Sequence, residues 1–169
     1  MSQPTLLIDG YNLLHAAGLA RATYGPGDLE RARDRLLSLL GELLDADQLS
    51  KTVVVFDAKE SVTFHGSRSV RAGVTVVFPD RGVEADAVLE EMVREHTAPK
   101  SLRVVSSDHR VQTAARRRRA AALDSDAFLR RSRGEAARDR GPEKPAPGPV
   151  GDGEVRMWVE EITDAFGKK

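Results

Sequence analysis

Four aspartates in this sequence stand where a parallel sheet would gather them. Asp9 follows the apolar run 5–8, Asp57 follows TVVVF at 52–56, and Asp108 follows the run 102–105 across Ser106 and Ser107. Asp86 falls in the first turn of the helix that apolar spacing predicts over 84–96. When strands lie parallel their ends share one carboxyl edge, which is the usual ligand edge of such folds. Carboxylates crowded there repel one another, which raises their pKa values and destabilises the chain unless a cation neutralises them. Oxygen donors, in a chain with no cysteine and no histidine pair at ligand spacing, favour Mg²⁺ or Mn²⁺ over Zn²⁺. A carboxylate-held cation that keeps its waters suits phosphodiester hydrolysis, because it activates a water and stabilises the leaving oxygen. Taken singly, each aspartate also reads as a helix cap or turn residue, and Asp86 and Glu84 suit a helix start through the helix dipole. Their joint placement is what favours a metal site.

The elements that must position these acids follow from apolar periodicity. Runs 5–8, 52–56, 74–78 and 102–105 read as buried strands, and the lack of alternation in TVVVF suits a strand covered on both faces. Leu29, Ala32, Leu36, Leu40 and Leu43 recur at helical spacing, which predicts a helix over 28–44 with Asp28 as its N-cap. Residues 58–72 read as a loop. Beyond Asp108 the pattern predicts a helix over 111–119, a short strand over 120–123, and a helix capped by Asp124 or Asp126 that runs through Arg131. Strand alternating with helix implies an α/β fold with a mostly parallel sheet and helices on both sides. Residues 141–153 hold four prolines and four glycines and read as a linker. Val155, Trp158, Val159, Ile162 and Phe166 then give an amphipathic helix over 154–169, with Trp158 as a core anchor. The main domain therefore spans 1–140.

Composition excludes several classes. With 169 residues, 40% of them hydrophobic, the chain builds one core and no second large domain. The absence of cysteine removes disulfides, thiolate metal sites and cysteine nucleophiles. No stretch approaches the roughly 18 apolar residues of a membrane span, and no secretory leader is visible, so the expected location is the cytoplasm. The formal net charge of zero is a cancellation: residues 1–109 carry 12 basic and 16 acidic side chains, whereas 110–141 carry 10 and 4. Arg110, Arg116, Arg117, Arg118 and Arg119, with Arg130, Arg131 and Arg133, form the basic region and are candidates to neutralise RNA phosphates. Four consecutive arginines cannot share one helix face, so at least one of them makes other contacts. Arg68 and Arg71, in the 58–72 loop, are candidates to hold substrate from the other side, although arginines in such a stretch more often belong to an ordinary polar loop.

At LLIDGYNLL (6–14) the chain resembles the YacP-like branch of the NYN-domain ribonucleases, relatives of the PIN-domain nucleases. VVVFDAK (53–59), GVTVVFPDRGVEADAVLEEMV (73–93) and RVVSSDHRVQTAARRR (103–118) are similar to the later motifs of that family, in the same order and over residues 4–133. The resemblance implies a PIN-like three-layer α/β/α sandwich and a metal-dependent endoribonuclease. It marks Asp9, Asp86 and Asp108 as catalytic and metal-binding, Asn12 as catalytic, Asp57 as a further metal ligand and Glu84 as auxiliary. One branch of the family associates with the ribosome and cleaves messenger RNA during translation, so the resemblance also implies single-stranded or messenger RNA, and the ribosome, as partners. The proline–glycine segment and the terminal helix depart from the family motifs.

Other residues have two readings. Asn12 can bond a metal-bound water or a carboxylate, or it can stabilise the turn. Tyr11 can stack on a base, although a tyrosine beside a strand end more often packs. His65 and His109 are candidate bases, whereas His15 and His96 fall in helical patterns and read as structural. A competing function is a non-catalytic RNA- or ribosome-binding module that kept the fold without turnover. A phosphatase of the haloacid-dehalogenase type needs a second aspartate where Tyr11 stands, and a dinucleotide-binding loop needs glycines that DGYN lacks.

Overall fold

A computed structural model of the chain describes residues 4–57 and 66–139. They belong to a compact unit, Met1–Asp139; the linker expected over 141–153, the helix expected over 154–169 and His65 lie outside the described residues.

The strands are β1 (Leu6–Asp9), β2 (Thr52–Val55), β3 (Arg68–Arg71), β4 (Val74–Val77), β5 (Arg103–Val105) and β6 (Ala121–Leu123), in the sheet order β3-β4-β2-β1-β5-β6. Every pairing is parallel except β3 with β4. The helices are α1 (Gly10–Ala16), α2 (Asp28–Leu43), α3 (Ala46–Ser50), α4 (Ala85–Glu95), α5 (His109–Arg117) and α6 (Ser125–Asp139), with a 3-10 turn at Pro99–Ser101. Successive strand side chains leave on opposite faces, and the core divides accordingly. Leu6, Ile8, Val54, Val76 and Val105 pack with Leu13, Leu36, Leu40 and Phe128 of α1, α2 and α6. Leu7, Val53, Val55 and Val104 pack with Leu89, Val93, Val111 and Ala115 of α4 and α5. These are the two faces of a three-layer α/β/α sandwich, and they explain why the central strands read as unbroken apolar runs. Among the described residues no helix is long and apolar enough to cross a membrane.

The structure corrects several boundaries. Part of the expected 58–72 loop is the edge strand β3, joined to β4 by a two-residue turn in which Ala72 and Gly73 have φ of 50° and 83°. Such a turn matches the twist of a hairpin. The strand escapes the periodicity argument because it is largely exposed and has one covered edge, so no apolar pattern marks it. The N-cap of α2 is Gly27 (φ 76°) and not Asp28, whose carboxylate turns back to accept from the Gly25 N–H at 2.9 Å and pairs with Arg31 at 2.6 Å. The last helix runs eight residues past Arg131, to Asp139, across an interior Gly134 that weakens any sequence signal. Two short helices, α1 and α3, follow local caps: Asp9 for the first, and an Asp45–Gln48 capping box for the second.

Candidate active site

The site forms where the chain changes direction across the sheet. From β1 the chain goes to α1 and α2 on one face, whereas from β5 it goes to α5 on the other. Because β1 and β5 are neighbours, the connections after them diverge and leave a crevice at the carboxyl edge, as expected at a switch point of a parallel sheet. A cavity of about 240 Å³ lies there, lined by Asp9, Tyr11, Asn12, Asp57, Glu84, Ala85, Asp86 and Asp108. All four aspartates singled out from the sequence, together with Asn12 and Glu84, therefore share one wall.

Each acid is set by the end of an element. Asp9 ends β1, is buried, and caps α1: one carboxylate oxygen accepts from the Asn12 N–H at 3.1 Å and the other from the Asn12 side-chain amide at 2.5 Å. Asp108 caps α5, accepting from the N–H groups of Arg110 (2.7 Å) and Val111 (3.2 Å). Asp86 stands in the first turn of α4, and Asp57 follows β2. The two caps are locked together by a residue whose role the sequence did not reveal. The fully buried Ser106 hydroxyl donates to Asp9 at 3.0 Å and accepts both from the Asn12 amide and from the Asp108 N–H, each at 3.0 Å. Gln112 in turn donates to the Ser106 carbonyl at 2.8 Å. A small hydroxyl between a strand and a cap is too common to stand out in a sequence; only contact across 97 positions of chain gives it its place.

Two further residues shape the wall. Gly10 sits against Phe56, with the site of a Cβ only 2.4 Å from the Phe56 ring, so only glycine lets β1 turn into α1 here. Arg33, buried on α2, lies over the rings of Phe56 (5.5 Å) and Phe78 (5.0 Å) and donates to the Asp57 carbonyl at 3.2 Å, which fixes the end of β2.

The electrostatics follow from the crowding. Burial, then the charges of Asp9 and Asp108, push the Asp86 carboxyl from its ordinary 3.8 up to about 6, Glu84 adding to the rise and Arg110 opposing it. Among the described residues the donor set is oxygen and amide alone, with no histidine in the wall: His109 is the exposed first residue of α5, and His96 is buried just past the end of α4, where its Nε2 bonds the Pro4 carbonyl at 2.7 Å. Among the described residues no three of these acidic groups stand together so that they could hold one metal ion. An open wall of carboxylates fits a cation that keeps most of its waters and uses one or two protein ligands, the habit of Mg²⁺.

The arginines are distributed differently from the acids. Arg110 stands at the cleft, where its guanidinium pairs with Glu90 and approaches Glu84 at 3.8 Å. From there α5 runs nine residues back along the sheet, a rise of about 12 Å, so Arg116–Arg119 lie toward the amino edge. Arg116 donates to Gln112 at 2.9 Å, and Arg118 to the His96 carbonyl at 3.0 Å. Arg119, at φ 63°, terminates α5 in the left-handed position, with its N–H on the Arg116 carbonyl and the Ala120 N–H on that of Ala115. Arg71 on β3 pairs with Glu30 (2.6 Å) and Asp34 (2.9 Å) of α2. Arg68 lies beside Met92 and Glu95, away from the carboxylates.

Solved structures of similar shape include the crystal structure of Rae1 (YacP) from Bacillus subtilis, with 21% identity, a TM-score of 0.57, and coverage of 98% of this chain and 83% of that one. The crystal structure of a mutant of that Bacillus subtilis protein gives 22% identity, a TM-score of 0.59, and coverage of 95% and 84%. No curated protein matches the sequence. The family model described as the YacP-like NYN domain matches residues 6–141, a stretch that contains every strand and helix described above. The chain thus belongs to the YacP-like NYN domain family, which has a nuclease-type fold.

Proposed function

We propose that this protein is a metal-dependent endoribonuclease that hydrolyses RNA phosphodiester bonds in the cleft at the β1/β5 crevice. The observation that carries the reading is the gathering of Asp9, Asp57, Asp86 and Asp108 along one open wall, with the Asp86 pKa raised to about 6. Asp9, Asp86 and Asp108, with Asp57, would hold Mg²⁺ or Mn²⁺, one or two of them directly and the others through its waters, and the bound cation would lower the pKa of a water and stabilise charge on the leaving oxygen. The chain's own contribution is placement. The Asn12 amide and the Ser106 hydroxyl both donate to one oxygen of Asp9, and the Asn12 N–H donates to the other, so that this carboxylate keeps one orientation. Asp108 keeps its orientation through two backbone N–H bonds. Asp86, with its raised pKa, is the group in the wall most ready to take up or release a proton near neutral pH. Single-stranded or messenger RNA in the cytoplasm is the proposed substrate, and the ribosome a proposed partner, by analogy with the family.

The test is cleavage of a labelled RNA with Mg²⁺ or Mn²⁺, with EDTA, and with Asp9→Asn and Asp86→Asn proteins. Asparagine retains the capping hydrogen bond of Asp9 while removing its charge, so the variant keeps its fold. Cleavage in the metal, and its loss in EDTA and in both variants, is the expected result. Full activity in both variants rejects the assignment. RNA shifted in a gel but never cut identifies instead a binding module that retains the fold without turnover.

A further inference from the structure

The cleft is lined by five carboxylates, from Asp9, Asp57, Glu84, Asp86 and Asp108, and, among the described residues, by no basic side chain. A polyanion cannot be drawn into such a wall by its phosphates except through a bound cation, because like charges repel and a low-dielectric wall strengthens the repulsion. Arg110 is the nearest guanidinium, and it is engaged with Glu90 and Glu84. Without that cation, the attraction must come from another part of the nucleotide. Tyr11 supplies it. Tyr11 is 42% exposed, and it is the exposed tyrosine or phenylalanine among the described residues, since Phe56, Phe78 and Phe128 are buried and Tyr24 is half-buried with its hydroxyl on the Arg21 N–H. A tyrosine beside a strand end more often packs; here the structure instead places the ring in water on the wall of the cleft.

The ring is also held. One turn along α1, His15 meets it edge-on with centroids 4.8 Å apart, the preferred geometry for an aromatic pair. The helix that carries both begins at Asp9 itself, two positions before Tyr11 and three before Asn12. The stacking surface and the innermost carboxylate are therefore fixed in one rigid turn, and α1 is pinned through Ser106 to the end of β5.

The geometry points to Tyr11, braced by His15, as the platform on which an unpaired nucleobase stacks beside the scissile phosphate, so that the site selects single-stranded RNA. This inference rests on the nuclease reading of the same cleft. A paired base has both faces occupied by its neighbours in the helix, and only an unstacked one offers a face to the ring.

The test separates binding from hydrolysis. A fluorescein-labelled oligouridylate of about ten nucleotides is titrated, by anisotropy in EDTA, with the full-length protein and with Tyr11→Phe, Tyr11→Leu, Tyr11→Ala and His15→Ala forms. Tyr11→Phe binds as the unaltered protein does, Tyr11→Ala and Tyr11→Leu bind about 5- to 150-fold more weakly, and His15→Ala about 2- to 10-fold more weakly. An abasic oligonucleotide of the same length, and an RNA duplex, show no difference between Tyr11→Ala and the unaltered protein. Equal binding of the oligouridylate by Tyr11→Ala overturns the inference, as does an equal loss on the abasic strand. If the unaltered protein binds no RNA in EDTA, the platform falls, while the nuclease reading is decided separately by cleavage in Mg²⁺ or Mn²⁺. Tyr11-dependent binding with no cleavage in Mg²⁺ or Mn²⁺ upholds the platform and overturns only hydrolysis.

Discussion

The acidic cleft and the basic end of α5 lie toward opposite edges of the sheet, and they are built in opposite ways. At the carboxyl edge, aspartates from positions as distant as 9 and 108 meet because three parallel strands end together, and Asp9 and Asp108 are fixed by their caps and by the buried Ser106 hydroxyl. Toward the amino edge, Arg116–Arg119 are neighbours in the chain, exposed, and spread over the end of one helix. Acids far apart in sequence became one constellation, while arginines adjacent in sequence became a fan. Nearness along the chain is thus a poor guide to shared function, whereas equivalent positions at strand ends are a good one. The cost of crowding appears at the acidic edge alone, where Asp86 is driven up to about 6.

The contrast breaks most sharply in turnover. Asp9→Asn should lower RNA cleavage by roughly a thousand-fold or more, while a protein with Arg116, Arg117 and Arg119 all changed to Ala keeps its rate on a short oligonucleotide within about two-fold. Its effect is on the salt dependence of binding, where each phosphate contact removed lowers the slope by about one. Equal losses in the two proteins, measured side by side, dissolve the distinction between the edges.

Ser106→Ala comes next. It leaves Asp9 and the Asn12 amide without their shared partner, and a change of that kind beside a metal ligand costs about 10- to 100-fold in activity. The orphaned buried groups also remove about 1–3 kcal/mol of stability. Urea unfolding together with initial rates checks both, and a variant unchanged in rate shows that Ser106 is only a packing group. Gly10→Ala forces a methyl into the Phe56 ring and is expected to cost about 1–3 kcal/mol by overpacking, read as a lowered denaturant midpoint.

Asp86→Asn sharpens the charge comparison through pH. The folded protein holds the Asp86 proton more tightly than the unfolded chain does, so ionisation between pH near 4 and about 6 withdraws stability from the native state. The asparagine protein should therefore match the parent below pH 4 and become the more stable of the two as pH rises through 6, in EDTA. A thermal melt series across that range checks the sign, and a constant difference at all pH values contradicts it. The smallest effect lies at the other edge. Arg119 occupies a left-handed position that glycine adopts without strain, so Arg119→Gly should gain about 0.5–1 kcal/mol without altering cleavage.

Much of this fold was legible from local pattern. TVVVF reads as a strand covered twice because both faces of β2 are in fact buried, and Leu36 with Leu40 marks α2 because helical period repeats on one side of the chain. Asp9 and Asp108 were legible as acids after strands. Their second reading, as caps, is equally true: the same carboxylates cap α1 and α5 and line the cleft. What escaped was whatever depends on a partner far along the chain. β3 exists because β4 offers it hydrogen bonds, Arg33 is buried because two phenylalanines that follow β2 and β4 cover its guanidinium, and Tyr11 is exposed because none of the described residues covers it on α1.

By itself, then, the sequence determined five of the six strands and most helices, the α/β class, and the residue types available for chemistry, because these depend on period, propensity and the immediate neighbours of each residue. Only the tertiary structure decided that the four aspartates share a wall, that Ser106 joins two of them, that Arg116–Arg119 stand away from it, and that Tyr11 faces water. Those facts depend on strand order. With β1 seated between β2 and β5, the connections part at one crevice, and the direction in which each helix runs back across the sheet fixes which charges meet there and which are carried to the opposite edge.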